Sequence, residues 1–175
     1  AAWAWPRLDP DVHGRLDALL KTCVRGGKVD YAALKSHEAD LVAYLARLDR
    51  ENPAPLNRED LAALWINAYN AFVLNKVLSR YPDLKSLKDV PEWDTTENCS
   101  VGGVPHSLSW IAGTLRDLKD PRIHFALSPA SAGGPPLAVE AYRGKDLEPQ
   151  LDAAARRFLA DPDHGFRAGM AKGLF

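Results

Sequence analysis

Residues 61–78 leave a folded chain few options. At about 100° per residue, Leu61, Trp65, Tyr69, Phe72 and Val73 cover one side of a helix. Leu64, Ile66, Ala68, Leu74, Val77 and Leu78 cover nearly all of the rest. A helix that is apolar all round has no face for water and must be enclosed by other elements. Asn67, Asn70, Asn75 and Lys76 interrupt it too often for a membrane span. The stretch therefore reads as the central core helix. Asn67 and Asn70, three apart on neighbouring faces, need partners, because a buried amide left unbonded costs roughly 1–3 kcal/mol. Either they tie the helix to loops packed across it, or one of them lines a pocket.

Around that helix the chain supplies amphipathic segments and turn signals. Asp9-Pro10-Asp11 reads as the start of a first helix carrying Val12, Leu16, Leu19 and Leu20, which Gly26-Gly27 ends. Ser36 is a candidate cap for a second helix through Leu41, Tyr44, Leu45 and Leu48. Asn57 caps the central helix, with Glu59 and Asp60 in its first turn where the dipole favours acids. Tyr81-Pro82 ends it. A helical turn is predicted over residues 86–90, and a small hairpin over residues 99–106 around Gly102-Gly103. Ser107 then caps a helix over residues 108–119. Residues 122–127 alternate and read as a strand, with Ile123 and Phe125 on the core face and Arg122, His124 and Ala126 opposite. A loop rich in Gly and Pro follows, then an amphipathic helix over residues 147–160. No linker or repeat is visible. The expectation is one α+β domain, predominantly helical, over residues 1–175, with an N-terminal arm (residues 1–8) and a weakly patterned tail (residues 163–175).

Composition narrows the function classes. A formal net charge of −1 and scattered basic residues give no reason to expect nucleic acid or an anionic membrane. Cys23 and Cys99 stand far apart with no C-x-x-C and no histidine at ligand spacing, so no conventional zinc site and no other cofactor is implied. They read as one disulfide in an oxidising compartment or as buried thiols in a reducing one. The opening Ala-Ala-Trp-Ala-Trp-Pro suits the end of a processed signal segment, although an arbitrary boundary would look the same. No transmembrane run is present. Trp3 and Trp5 are candidate protein contacts, or fold back on the first helix.

Val29-Asp-Tyr-Ala-Ala-Leu34, Leu64-Trp-Ile-Asn-Ala-Tyr-Asn-Ala71, Tyr81-Pro82, Val101-Gly-Gly103, Ser107-Leu108, Asp120-Pro-Arg-Ile-His-Phe-Ala-Leu127, Pro135-Pro136-Leu137 and Ala141-Tyr142 follow one another in the chain. In that order they resemble the DUF547 family, a domain of unknown function, over nearly the whole length. The W-I-N-x-Y-N and R-I-H-F-A-L stretches are the specific ones. The resemblance implies an exported, periplasmic or secreted setting, as for many bacterial members. It also implies Asp-Ile-Glu-His at the start of the helix after the Gly-Gly hairpin, where this chain has Trp110-Ile111-Ala112-Gly113. A cysteine soon after H-F-A-L and a second before the Pro pair are implied too, where Pro129 and Gly134 stand. Cysteine, histidine and acid in one cleft would suit thiol chemistry, and this chain lacks all three at those positions. The resemblance also implies a further C-terminal segment after Phe175, either lost or lying beyond this stretch of chain.

Other residues offer less. Ser131, with Ser128, is a hydroxyl in the glycine-rich loop; a serine nucleophile there would need His124 as base, and no G-x-S-x-G elbow surrounds it. His124 reads as a hydrogen-bonded structural histidine or a pocket histidine. His13, His37, His106 and His164 read as solvated. Asp161-Pro162-Asp163-His164 reads as a solvated helix end, and the Glu92/Asp94 pair lacks a converging third group. Gly133-Gly134 is no phosphate cradle, lacking a P-loop lysine. The leading expectation is a non-catalytic, exported binding or assembly domain built on an enzyme-like cleft. It would engage a protein, a peptide or a small ligand through Asn67, Asn70, Arg122, His124 and Ser131. The alternative is a hydrolase or transferase that uses His124 with a replacement nucleophile.

Overall fold

The computed structural model describes Asp9, residues 11–131 and residues 133–162. Trp3, Trp5, the arm at residues 1–8 and the tail at residues 163–175 lie outside the described residues. In chain order the elements are α1 (Gly14–Cys23), β1 (Val24–Arg25), β2 (Lys28–Val29), α2 (Tyr31–Ser36), α3 (Glu38–Leu48), α4 (Arg58–Leu78), β3 (Cys99–Val101), β4 (Val104–His106), α5 (Leu108–Asp117) and α6 (Leu147–Leu159), with short 3-10 helices at Leu87–Asp89, Pro121–Ala126 and Gly144–Asp146. The protein is a predominantly helical α+β structure with two small antiparallel hairpins.

Helix α4 is the enclosed helix that the sequence demands. Residues 62–68 are all buried, and Phe72, Val73, Leu74, Val77 and Leu78 continue the burial on every side. Helices α2, α3 and α5 and the Gly144–Asp146 turn pack around it. Its start is fixed twice over. Asn57 Oδ1 accepts from the Asp60 amide at 2.7 Å, while Asn57 Nδ2 donates to Asp60 Oδ2 at 2.9 Å. One buried cluster runs from Leu16 through α4 to Leu151. No described helix is long and apolar enough to cross a membrane.

Asn67 and Asn70 are buried, and both tie the helix to distant backbone. Asn67 Nδ2 donates to the Tyr142 carbonyl at 2.8 Å, and its Oδ1 accepts from the Tyr142 amide at 2.9 Å. Asn70 Nδ2 donates to the Ala126 carbonyl, and its Oδ1 accepts from the Ser128 amide, both at 2.9 Å. The irregular segment after α5 is thereby pinned to α4 at two places.

Several local expectations change. Residues 122–127 are no strand: Pro121–Ala126 is a 3-10 helix capped by Asp120, whose Oδ1 accepts from the Arg122 amide at 3.0 Å. The Asp-Pro start, a helix-entry signal, outweighs a short alternation that also fits three residues per turn, since Ile123 and Ala126 are the buried pair. Asp30 caps α2, and the Ser36 hydroxyl instead donates to the Ala33 carbonyl at its end. Asp9 starts a turn through residues 11–13 rather than α1 itself. Gly26-Gly27 is the tip of the β1–β2 hairpin, where φ of +79° at Gly27 and a Pro136 ring that would stand 2.3 Å from any Cβ both demand glycine. Cys23 and Cys99 are buried free thiols; burial pushes the Cys23 thiol up and the Cys99 thiol up to about 11, which leaves both unreactive.

His13 is not solvated but 3% exposed. Its Nδ1 meets the Tyr44 hydroxyl at 2.8 Å, and Nε2 is buried without a partner. Burial, with the nearby Arg143 charge, pushes its pKa down to about 3. The folded state therefore holds it neutral while the unfolded chain protonates it below its ordinary value of 6.5. Its contribution to stability is complete above that value and is lost as pH falls toward the folded value, by about 1.4 kcal/mol per pH unit. Chemical denaturation across this acid range should show His13→Gln with a shallower pH slope than the wild type; parallel slopes would mean that His13 titrates normally. Asn67→Ala, which strips the Tyr142 amide and carbonyl of their partner, should cost about 2–4 kcal/mol in urea unfolding. A loss under about 1 kcal/mol would mean that water takes over both groups.

Candidate functional site

The segment that the two asparagines hold down forms one wall of a cleft of about 520 Å3. Its floor is Val73 and Leu74 of α4 with Leu137, and its opposite wall is the β1–β2 hairpin with Tyr31 at the start of α2. The Leu137 amide donates to the Gly27 carbonyl at 3.3 Å, which lays the Pro135-Pro136-Leu137 strip along the hairpin. Tyr31 stacks on Tyr81, with ring centroids 6.2 Å apart. Asn70, Ser128 and Ser131 supply polar groups to the same cleft. A primary amide has two donors and two lone pairs, so the backbone bonds of Asn70 leave one of each for the cleft it lines.

The loop at the cleft mouth is tightly formed. Ser131 is exposed, and its carbonyl accepts from the Gly134 amide at 3.0 Å. A Cβ on Gly134 would stand 2.7 Å from Ser131 Oγ and 2.9 Å from Pro129 Cγ. The residues at the two positions where the resemblance implies cysteines thus face each other, and the Pro129 ring fills the space that a side chain at 134 would take. Ala130, between them, holds a left-handed φ of +54°. Gly113, where the resemblance implies histidine, has open space around its missing Cβ.

The candidate residues of the sequence do not form one site. Asn70 and Ser131 share the cleft just described. Asn67 is engaged with Tyr142 in the core. His124 is exposed on the 3-10 helix, edge-on to Phe125, and lines a separate hollow of about 320 Å3 that Ala112 also lines. A Ser131–His124 pair in one pocket is therefore not formed. Arg122 is engaged through all three of its nitrogens: Nε and Nη2 grip Asp120 at 3.0 and 2.7 Å, Nη1 reaches Asp152 at 2.7 Å and Nη2 reaches Glu148 at 2.8 Å. These bonds raise the Arg122 pKa and lower that of Asp120, and they lock the 3-10 helix to α6. Among the described residues no group of three or more His, Cys, Asp or Glu side chains is placed to hold a metal ion.

Two features escape a reading of the sequence. Trp110, at the position where the resemblance implies aspartate, is 46% exposed and stacks on His106 with centroids 4.0 Å apart, while both meet Trp65 edge-on. His106 is thus half-buried rather than solvated, and desolvation lowers its pKa. The Pro129–Gly134 fit is the other; only a Gly-rich loop of unusual Pro content hinted at it. A groove of about 660 Å3 between α1 and α3 carries ion pairs of Arg15 with Asp40 and of Arg47 with Glu51 and Asp9.

Residues 53–159, more than half of the chain, match the family described as a protein of unknown function, DUF547. The chain belongs to the DUF547 family. No curated protein and no solved structure matches it. The family match takes in α4, α5, the 3-10 helix and the Pro135-Pro136 strip, so it spans the floor and one wall of the cleft.

The loop makes a sharp energetic prediction. Gly134→Ala should destabilise the protein by about 1–3 kcal/mol through overpacking against Pro129. Pro129→Ala in the same chain should recover most of that loss, giving a coupling in a double-mutant cycle read by urea unfolding. Additive effects would mean that the two residues do not meet.

Proposed function

We propose that this DUF547 domain is a non-catalytic binding domain that takes a small ligand or a short peptide segment in the Asn70–Ser131 cleft. The observation that carries the reading is the make-up of that cleft: an apolar floor, a stacked tyrosine, an amide, two hydroxyls and the charged Lys28 and Asp161, held by a loop in which proline and glycine fit against each other. Such a lining can desolvate an apolar body and orient it with a few hydrogen bonds. Among the described residues that line it there is no histidine and no cysteine, so neither a Ser–His pair nor a thiol nucleophile is assembled there; its charged side chains are Lys28 and Asp161. A periplasmic or secreted setting belongs to the same proposal, on the strength of the family resemblance.

The competing reading, a hydrolase or transferase with His124 as base, requires His124 to act from its own hollow with a nucleophile brought from elsewhere. One experiment separates them. A fragment library is screened by amide chemical shifts on the wild type, and p-nitrophenyl esters are assayed on the wild type, Ser131→Ala and His124→Ala. The proposal expects saturable shifts over residues 26–31 and 128–137, weakened several-fold by Ser131→Trp, and no turnover. Ester hydrolysis that disappears in His124→Ala would replace the binding domain with an enzyme.

A further inference from the structure

The hollow that His124 lines is chemically unlike the cleft. It lies where the C-terminal end of α5 meets the 3-10 helix, just ahead in the chain of the segment that Asn70 pins. Leu115, Ile123 and Leu127 give it an apolar base, and Arg116, Lys119 and His124 stand on its rim. Asp120 is the acid among its lining residues, and that carboxylate is gripped by Arg122. Among the described residues neither Arg116 nor Lys119 takes part in an ion pair, although the acids of the neighbouring α6 are matched to Arg122 and Arg156. The corner thus presents two uncommitted cations and an imidazole above hydrocarbon.

A second observation concerns the backbone. Lys119 follows the α5 cap Leu118 and has φ of +56°, with its amide donating to the Arg116 carbonyl at 2.9 Å. This is the left-handed position just past a helix where glycine or asparagine is favoured, because a Cβ is strained there. The chain keeps a lysine at that strained place, on the rim of the hollow. A lysine there also meets the negative end of the α5 dipole, and its left-handed backbone holds the side chain on the rim of the hollow.

We propose that this corner is a binding site for a small amphipathic anion, a carboxylate or phosphate group carrying a short apolar body. Arg116 offers a planar fork to two anionic oxygens, Lys119 a mobile ammonium and His124 a ring N–H. The apolar base receives the body and excludes water, which strengthens the ionic contacts above it. A hollow of about 320 Å3 suits a ligand of one ring or a short chain. This site goes beyond the proposed function: it shares no lining residue with the Asn70–Ser131 cleft apart from their common backbone support, and either can fail without the other.

The test is an amide-shift titration of the whole chain at low ionic strength with phenyl phosphate and 3-phenylpropionate, with inorganic phosphate and benzyl alcohol as half-probes. Saturable shifts centred on residues 112–127 are expected for the two amphipathic anions, weakened by added salt, and both half-probes should bind at least tenfold more weakly. Whether phosphate or carboxylate binds tighter assigns the headgroup. Arg116→Glu should abolish binding. Lys119→Gly removes the charge and relieves the left-handed strain, so it should lower affinity several-fold while the thermal midpoint stays level or rises. The proposal is overturned if no saturable shift appears or if benzyl alcohol binds as tightly as the anions. It is overturned equally if the shifts fall only on residues 26–31 and 128–137, or if Lys119→Gly binds like the wild type.

Discussion

Two asparagine side chains on a helix with no solvent face hold this structure in register. Asn67 and Asn70 sit inside the apolar surface of α4, and each takes one donor and one acceptor from backbone 75 and 56–58 residues away in sequence. The net gain from each hydrogen bond is about 1 kcal/mol, but a buried orphan costs roughly 1–3 kcal/mol. That asymmetry makes the pairing selective: a shifted docking of residues 126–142 would leave four backbone groups and two amides unsatisfied. The irregular segment can therefore be long and poor in regular structure and still have one place to lie. Its position contributes a wall to the cleft, and the 3-10 helix that leads into it lines the basic hollow.

Charge is arranged around this frame in two ways. Arg122 is surrounded by Asp120, Glu148 and Asp152, so its guanidinium joins two elements and its charge is matched within the fold. Arg116 and Lys119, a few residues earlier, take part in no ion pair among the described residues, and the one acid beside them, Asp120, is held by Arg122. The difference is one of placement: the α6 carboxylates Glu148 and Asp152 meet Arg122 on the 3-10 helix, not the two cations at the end of α5. A matched cation stabilises geometry; an unmatched one over an apolar base is available to an anion. Pro129 and Gly134 follow a comparable logic of shape: the ring of one residue occupies the room that a side chain on the other would need.

Much of the architecture was legible in the sequence because it depends on local or periodic signals. The enclosed α4, its Asn57 cap, the Gly102-Gly103 hairpin, the Ser107 cap and α6 all follow from burial patterns and capping chemistry within a few residues. The need for partners on Asn67 and Asn70 was legible too, and so was the family, through the W-I-N-x-Y-N and R-I-H-F-A-L stretches. Residues 122–127 were misread because a six-residue apolar pattern fits a period of two and a period of three alike, and the Asp120-Pro121 entry decides between them.

What the sequence by itself determined, then, is that one helix must be swallowed by the others and that its amides must be satisfied. Only the tertiary structure decided which backbone satisfies them, that His13 is buried against Tyr44, that Ser131 and His124 open into different hollows, and that Arg122 is committed while Arg116 and Lys119 are not. The reason is common to all four. Each depends on contacts between segments tens of residues apart or on the side of a turn to which a side chain falls, and no local pattern of residues encodes either.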